Sequence, residues 1–384
     1  MEPPGLSERG LSERARRWAA TMDGHAADAT AVHTAHADST ATIRVGAVLH
    51  REEREELEAV ILAEGATRSE GAGDRLVEEP ADPERTCFER DRDRIMHAAP
   101  FRRLAGKTQV FIFPDDHQRT RLTHALEVSQ VATSIARALR LNVALTEAIA
   151  LGHDCGHGPG GHASEDALTP FLPEGFDHAV WGADVVLTPL NLCRQTLDGI
   201  RNHSWSRPAP GTPEGEVVSW ADRIAYVCHD FEDAVSAGVV SASDLPPVVV
   251  ERCGTTRGTW LRTFISAVVE ATLAGGQVGM TAPLAEALAA FRSCDYERIY
   301  LRPESVDQAA AVQRLLGALV EHVAASPQLL PAPSAEAAGW PAPSSEEALR
   351  AAVTYVAGMT DRYAVTLAER WLGWDEPDFA LSVT

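Results

Sequence analysis

The sequence predicts an all-α protein, and three observations support this fold class. The 384 residues are 45% hydrophobic and 23% charged, an ordinary globular composition with enough apolar side chains for a sizeable core. Aromatic residues make up only 6% and alanine is frequent, which favours helices over a sandwich or a barrel. From Glu89 to about residue 235, apolar residues recur almost continuously at the 3.6-residue spacing of a helix.

The first 47 residues differ from the rest of the chain. They contain few large apolar side chains and no sustained periodicity, so we expect residues 1–47 to be a largely disordered leader with a short helix around Glu8–Met22. Three histidines in this leader lack an acidic or cysteine partner at ligand spacing, which favours a solvated tail over a metal site. They are His25, His33 and His36.

The helical core is predicted over residues 48–325. It begins with an acidic amphipathic helix over 48–64, followed by a loop over 65–86. Thr146 is the expected N-cap of a helix that ends near His153. The apolar spacing predicts the other main helices over 122–139, 217–235, 256–274, 283–294 and 305–325.

Prolines and glycines mark the predicted loops. Ser206–Glu216, with three prolines and two glycines, is expected to be a surface loop. A second, Pro/Ala-rich loop covers 326–345, and a single helix over 346–371 with a tail to residue 384 is expected to pack on the core. The one segment of β-structure predicted is a short strand pair around Thr108–Phe113.

Charge and cysteine content limit the classes of function. With 34 basic and 55 acidic residues the net charge is −21, which argues against a dedicated nucleic-acid binder. All but one of the basic residues are arginines, and the exception is Lys107. The six cysteines form no CxxC pair, and there is no secretory signal and no membrane-length apolar run. We therefore expect a cytoplasmic protein with reduced thiols and no membrane contact.

Four side chains form a candidate metal site. His124, the adjacent His153 and Asp154, and the distant Asp222 combine imidazole and carboxylate groups, which suit a divalent transition metal. Adjacent helical residues point about 100° apart, so His153 and Asp154 can bind one ion only where a helix ends. Helix-breaking residues follow at once: Gly156, Gly158, Pro159, Gly160 and Gly161.

A polar stripe follows Asp222 along the same predicted helix. Asp222, Tyr226 and Asp230 are spaced at i, i+4 and i+8 and share a face between apolar neighbours. Buried polar groups need partners, which a metal ion and a polar substrate would supply. The alternatives are an Asp222 that belongs to a structural ion pair, a His124 that is a core histidine, and a Tyr226 hydroxyl bonded to Asp230.

Together these residues resemble the HD-domain phosphohydrolases, in which a His, a His-Asp pair and a distant Asp follow in that order. The sequence is similar in particular to the deoxynucleoside-triphosphate triphosphohydrolases, the dGTPase-like proteins, over about residues 50–325. The similarity is carried by Arg90–His97, Phe101–Leu104, Lys107–Val110, Arg119–Val128, Glu147–Asp154, Gly156–His157, Gly161–Glu165, Gly175–His178, Leu197–His203, Ala221–Tyr226 and Gly358–Tyr363.

The resemblance implies an HD-domain helical core with additional C-terminal helices and one divalent metal ion, which the sequence does not distinguish among Mn, Mg, Fe, Co, Ni and Zn. It also implies hydrolysis of a dNTP to a deoxynucleoside and tripolyphosphate. The implied metal ligands are His124, His153, Asp154 and Asp222. The implied catalytic group consists of His162, which matches the catalytic histidine, Glu165, which would orient it, and the phosphate-contacting His157 and His178.

The resemblance further implies residues that bind the substrate. Arg121 and Arg223 would contact the phosphates. Lys107 is a weaker candidate, because the resemblance assigns it no ligand role. Gln109, Tyr226 and Asp230 would surround the sugar, with the tyrosine ring against C2′, so that a 2′-hydroxyl would collide with it.

Two departures from the family pattern bear on the substrate and the rate. Gly160 stands where relatives usually carry a phenylalanine, which should make the loop before His162 more flexible. After His178 the sequence continues Ala-Val-Trp, beginning at Ala179, where many relatives have a polar residue.

Two other functions stay open at this point. One is another HD-type phosphohydrolase, acting on a nucleoside monophosphate, a cyclic nucleotide or an alarmone. The other is a weakly catalytic regulator that senses dNTPs or binds single-stranded nucleic acid, for which nucleic acid would be an effector. The family also assembles as homo-oligomers, commonly tetramers or hexamers.

Overall fold

A computed structural model describes residues 12–21, 23–26, 32–44, 46–112, 117–332 and 339–375. The predicted fold class is confirmed, since the described residues contain sixteen α-helices and a single two-stranded sheet. The chain divides into two compact units, Met1–Val48 and Leu49–Thr384. No helix in the described part of the chain is both long and apolar enough to span a membrane.

The first unit contains one helix and one small hairpin. Helix α1, Glu13–Ala19, lies within the predicted range and begins where the Ser12 hydroxyl accepts a hydrogen bond from the Ala15 amide. Strand β1, His25–Ala26, pairs antiparallel with β2, His33–Thr34. The hairpin is absent from the sequence predictions, because two-residue strands leave no alternating pattern to detect.

The second unit is helical, and its helices follow the order that the apolar spacing predicts. They are α2 Arg51–Ile61, α3 Cys87–His97, α4 Ala99–Arg103, α5 Arg121–Leu139, α6 Val143–Gly152, α7 Ala163–Leu168, α8 His178–Trp181, α9 Arg194–Asn202, α10 Pro213–Ser236, α11 Pro247–Cys253, α12 Arg257–Gly275, α13 Ala282–Asp295, α14 Pro303–Ala325, α15 Glu346–Ala357 and α16 Asp361–Leu372. Single π-helical turns extend α8 and α13, at Gly182–Val186 and Tyr296–Tyr300.

Two predicted helix starts are wrong. Helix α6 is capped by Asn142, whose side chain accepts from the Leu145 amide at 3.1 Å, so Thr146 lies inside the helix. The Thr146 hydroxyl instead donates to the Asn142 carbonyl. Helix α10 begins at Pro213, inside the predicted loop, because proline suits the first helical position and Thr212 caps it.

The predicted C-terminal helix over 346–371 is also wrong, because the structure has two helices there. Helix α15 ends at Ala357, with Gly358 as its C-cap, and α16 begins at Asp361 after the extended residue Thr360. The predicted strand pair is absent from residues 108–112, where only an isolated bridge joins Thr108 to Thr120; Phe113 lies outside the described residues.

Two hydrophobic clusters hold the second unit together. The larger one is built on α3, α5, α6, α9, α10, α12 and α13, with fully buried residues such as Ile135, Ile149 and Phe291. The smaller one joins α7 to α14, α15 and α16 through residues such as Leu168 and Leu316. Both clusters contribute elements to one cavity, described next.

Candidate metal centre and active site

A cavity of about 520 Å³ contains most of the side chains that the sequence singled out. Its lining comes from helices α5, α10, α13 and α14. The turn after α6 and the turn around residue 162 contribute further histidines and carboxylates described below. Of the predicted site residues, His153 does not line the cavity directly but lies buried beneath it.

The four predicted metal ligands come together in the structure. Nε2 of His124 lies 3.1 Å from Oδ1 of Asp222, and Nε2 of His153 lies 3.5 Å from Oδ1 of Asp154 and 3.6 Å from Oδ1 of Asp222. Ligand atoms of His124, His153 and Asp154 all lie within 4.8 Å of one another. Three separate parts of the chain, α5, the end of α6 and α10, therefore meet at one point.

His153 supplies the test of whether a cation fits. Its Nδ1 lies 2.7 Å from the Ala150 carbonyl, so this nitrogen carries the proton and Nε2 presents a lone pair. Among the described residues that Nε2 has no hydrogen-bond partner, and it is buried facing the carboxylates of Asp154 and Asp222. An imidazole nitrogen directed at two carboxylates needs a proton or a metal cation between them, so this donor set fits a divalent metal ion.

The local sequence explains how the His-Asp pair is presented. Helix α6 ends at Gly152, with His153 as its C-cap still in right-handed helical conformation, so the pair lies where a helix ends, as predicted. A β-carbon on Gly156 would lie 2.0 Å from the His178 carbonyl oxygen and 2.4 Å from the Gly182 amide. Only glycine permits this contact between two backbones, which places His178 beside the pair.

The histidines predicted to act on the substrate form a second group. The rings of His157 and His178 stack with centroids 3.7 Å apart. Glu165 contacts His178 and His162: one carboxylate oxygen lies 2.7 Å from Nδ1 of His178 and the other lies 3.2 Å from Nδ1 of His162. The His162 side chain is 74% exposed toward the cavity, whereas His157 and His178 are buried.

The charges in this group depend on Glu165. Burial raises the pKa of the Glu165 carboxyl, but hydrogen bonds from His162 and His178 outweigh it, and the pKa is lowered. Burial likewise lowers the pKa of His178, but the Glu165 carboxylate reverses this effect and raises it. For His157, burial and the charge of Arg121 lower the pKa more than the Asp154 carboxylate, 3.2 Å from Nε2, raises it, so the pKa lies well below the usual value.

The two predicted phosphate arginines lie in different environments. Arg121 is buried and donates from Nη1 to Oδ2 of Asp154 at 2.6 Å, so it is already paired with a metal-site carboxylate. Arg223 lines the cavity with its guanidinium carbon 3.6 Å above the Trp205 ring. Lys107 does not line the cavity: its Nζ donates to the carbonyls of His157 and Ala357, and it is buried. Lys107 is therefore a structural anchor in this geometry.

The residues predicted to bind the sugar line the cavity, and two of them present oxygens that are free to accept hydrogen bonds from a ligand. Oε1 of Gln109 and Oδ1 of Asp230 are both buried, and neither has a hydrogen-bond partner in the described part of the chain. The hydroxyl of Tyr226 accepts from Nε of Arg292 at 2.7 Å, so the alternative in which it bonds Asp230 is wrong. The other Asp230 oxygen accepts from the Tyr300 hydroxyl at 2.5 Å. Burial raises the pKa of Asp230 to about 7.

Several cavity residues were missed by the sequence predictions. His203 lies with its ring centroid 4.9 Å from that of His153, and burial lowers its pKa to about 4. It was visible as the last residue of a family-like segment. Arg292, Tyr296 and Tyr300 carried only a weak signal, their i, i+4, i+8 spacing, because the α-helix gives way to a π-helical turn within that stretch.

Gly160 makes defined contacts in the structure, and the expected flexibility of its loop stays a prediction. Its amide donates to Oδ1 of Asp361 at 2.9 Å, and its φ is +73°, which favours glycine. A β-carbon there would lie 2.6 Å from Cγ1 of Val312, so α14 packs directly against this turn.

Comparison with known proteins agrees with this geometry. The family described as "HD domain" matches residues 121–227, and the one described as "Phosphohydrolase-associated domain" matches residues 278–370. A deoxyguanosinetriphosphate triphosphohydrolase-like protein of Caldanaerobacter subterraneus subsp. tengcongensis is 40% identical, over 82% of this chain and 93% of its own length. Proteins with the same name from Clostridium perfringens and Desulfatibacillum aliphaticivorans are 40% and 36% identical, over 82% of this chain and 94% and 96% of theirs.

The two family matches together cover the four predicted metal ligands, the histidines around Glu165, and the cavity tyrosines Tyr226, Tyr296 and Tyr300. Identity at this level over nearly the full length of the relatives shows common ancestry of the whole helical unit, and the His/Asp cluster could hold a metal ion. The chain belongs to the HD-domain family of deoxyguanosinetriphosphate triphosphohydrolase-like proteins.

Proposed function

We propose that this protein hydrolyses dNTPs, dGTP among them, to a deoxynucleoside and tripolyphosphate in a metal-dependent reaction. The observation that carries the proposal is one cavity that contains both a His/Asp cluster able to hold a metal ion and, beside Tyr226, two buried oxygens without a hydrogen-bond partner among the described residues, Oε1 of Gln109 and Oδ1 of Asp230. The names of the relatives support the same reaction.

The metal ion would be held by His124, His153, Asp154 and Asp222. When bound, a divalent ion polarises phosphoryl oxygens and lowers the pKa of a water molecule. Arg121 neutralises part of the charge on Asp154 and fixes its orientation through the 2.6 Å hydrogen bond. The Nδ1 contact to Ala150 keeps the His153 lone pair directed at the centre of the cluster.

The reaction needs a proton at the leaving oxygen. Water attacks the α-phosphorus, the bond from phosphorus to the 5′-oxygen breaks, and this oxygen leaves with a proton as the deoxynucleoside hydroxyl. His162 is the proton donor in this proposal, because it is exposed to the cavity and its other ring nitrogen lies 3.2 Å from Glu165. Glu165 stabilises the protonated imidazole and fixes its direction.

The triphosphate requires positive charge and hydrogen-bond donors. Among the described residues no carboxylate forms an ion pair with Arg223, and its guanidinium lines the same cavity as the stacked rings of His157 and His178. Burial lowers the pKa of Arg223 from its usual value, yet guanidinium stays charged at neutral pH. A triphosphate would supply the missing anionic partner.

Discrimination against ribonucleotides is assigned to Tyr226. The hydrogen bond from Arg292 holds its hydroxyl, and this fixes the ring as a wall of the sugar site. A 2′-hydroxyl pressed against this ring would be desolvated without a partner, which is unfavourable. Gln109 and Asp230 would bind the 3′-hydroxyl.

A panel of four dNTPs and four rNTPs tests the proposal, with products separated by anion exchange in the presence of Mn²⁺ or Mg²⁺. Tripolyphosphate from dNTPs alone is the expected result. Orthophosphate or a nucleoside monophosphate would instead indicate another HD-type phosphohydrolase, and DNA binding without turnover would indicate the regulator. The homo-oligomer and the cytoplasmic location stay predictions, the first of which light scattering can check.

A further inference from the structure

Gln308 is an unusual residue on helix α14. The buried residues of α14 are otherwise alanine, valine or leucine, and Gln308 is the single polar side chain among them. It is 7% exposed and lines the cavity. Its position therefore cannot be explained by solvation at the outer surface of the helix.

The amide of Gln308 has no hydrogen-bonding partner among the described residues. Gln313, on the same helix, differs in this respect, because its amide donates to Asp166 at 3.2 Å. Because Gln308 borders the cavity, a ligand that fills the cavity would remove this amide from water and would have to supply its hydrogen bonds to avoid a cost of about 1–3 kcal/mol.

The composition of the cavity bears on which part of a nucleotide Gln308 meets. Its lining combines the charged and polar groups described above with apolar residues, among them Val110, Ile112, Ala163 and Ala309. Val110 follows the proposed sugar residue Gln109 directly, whereas the metal ligands and Arg223 belong to α5, the end of α6 and α10. A triphosphate is not stabilised by an apolar wall, but a nucleobase has apolar faces and a hydrogen-bonding edge.

We propose that Gln308 binds the edge of the nucleobase and determines which dNTP is preferred. This inference rests on the proposed function and adds a residue that acts on substrate choice and takes no part in the chemical step. A glutamine amide presents a donor and an acceptor side by side, which pairs with the adjacent donor and acceptor on a base edge. A base that offers the wrong pattern would leave the buried amide unpaired.

The test compares wild type with Gln308→Met, which keeps the length of the side chain and removes its hydrogen bonds. Gln308→Glu keeps the shape and acceptor oxygens and removes the donor. Gln313→Met on the same helix is the matched control. For each protein kcat/KM is measured for the four dNTPs, together with melting temperature and inhibition by tripolyphosphate, which has no base.

The expected result is a change of about tenfold or more in the ratios of kcat/KM between bases for both Gln308 variants. Gln313→Met should keep the wild-type ratios, and inhibition by tripolyphosphate should be unchanged throughout. Ratios within about twofold of wild type in both variants overturn the inference, whether or not absolute rates fall, and so does weakened inhibition by tripolyphosphate. If wild type hydrolyses no dNTP, the proposed function itself fails, which is a different outcome.

Discussion

Asp361 accepts two hydrogen bonds from Thr108, one from its backbone amide at 2.8 Å and one from its hydroxyl at 2.5 Å. The other oxygen of the same carboxylate accepts from the amide of Gly160. One residue at the start of α16 thus holds the segment that carries Gln109 and the turn that precedes His162. Both sides of the cavity depend on a single carboxylate from the C-terminal helices.

Replacing this carboxylate tests its role. Asp361→Ala leaves three donors without their acceptor, and we expect a loss of about 2–4 kcal/mol in the free energy of unfolding. Displacement of Gln109 and His162 should lower kcat by up to about 10²-fold, while elemental analysis finds the wild-type metal content. Arg362→Ala changes the next, exposed residue and serves as the control. Unchanged kcat in Asp361→Ala would show that the two segments hold their positions without it.

The metal site can be tested independently of activity. His124→Ala or Asp222→Ala removes a ligand from the cluster, so each purified variant should lose bound metal and turnover together. Elemental analysis after purification without added metal is the measurement. His97→Ala, at an exposed position on α3, controls for the loss of any histidine. Metal retained at the wild-type level in either ligand variant rejects the assignment.

His162 should be separable from the metal. His162→Ala removes the proposed proton donor without touching the four ligands, so metal content should be preserved and kcat should fall about 10²–10⁴-fold. Single-turnover measurements distinguish this from slow product release. A kcat close to that of wild type would assign the proton to another group.

Trp205 is expected to position Arg223. The ring lies 3.6 Å from the guanidinium carbon and is itself held by a hydrogen bond from its Nε1 to the Ser219 carbonyl. Trp205→Ala should raise KM and weaken inhibition by tripolyphosphate several-fold, and Trp205→Phe should restore much of both. A fall in kcat with unchanged KM in Trp205→Ala would contradict this role.

The lone lysine gives a pH-dependent prediction. Burial lowers the pKa of Lys107 to about 7, so the folded protein releases a proton that the unfolded chain holds up to about pH 10. The contribution of Lys107 to stability is therefore smallest below pH 7 and rises between pH 7 and 10. In urea unfolding, the free energy of unfolding of wild type, relative to that of Lys107→Met, should rise by about 2 kcal/mol between pH 7 and pH 9. If the difference in free energy of unfolding between wild type and Lys107→Met is the same at pH 7 and at pH 9, the prediction fails, because the folded protein then stabilises the charged form of Lys107.

The metal cluster was predictable because its members are marked locally. His153 and Asp154 stand where glycines end a helix, and the i, i+4, i+8 stripe from Asp222 is a property of one helix. Periodicity likewise predicted most of the helices. These features need no knowledge of how distant parts of the chain meet.

The features that escaped prediction depend on contacts between distant segments. Thr108 was placed in a strand, but its amide is bound by Asp361, 253 residues away. Lys107 was considered for phosphate, yet its partners are two backbone carbonyls that no sequence pattern reveals. The break between α15 and α16 follows from the same long-range bonds, since Asp361 must leave the helix register of Ala357 to reach Thr108.

These long-range bonds have a consequence for the order in which the protein matures on the ribosome. Translation proceeds from the N-terminus, and the metal ligands, the last of which is Asp222, emerge long before Ala357 and Asp361. A nascent chain that contains all four proposed ligands still lacks the Ala357 carbonyl, which accepts from Lys107, and the Asp361 carboxylate, which accepts from Thr108. The contacts that hold the cavity in the proposed function are therefore complete only once α16 has been synthesised.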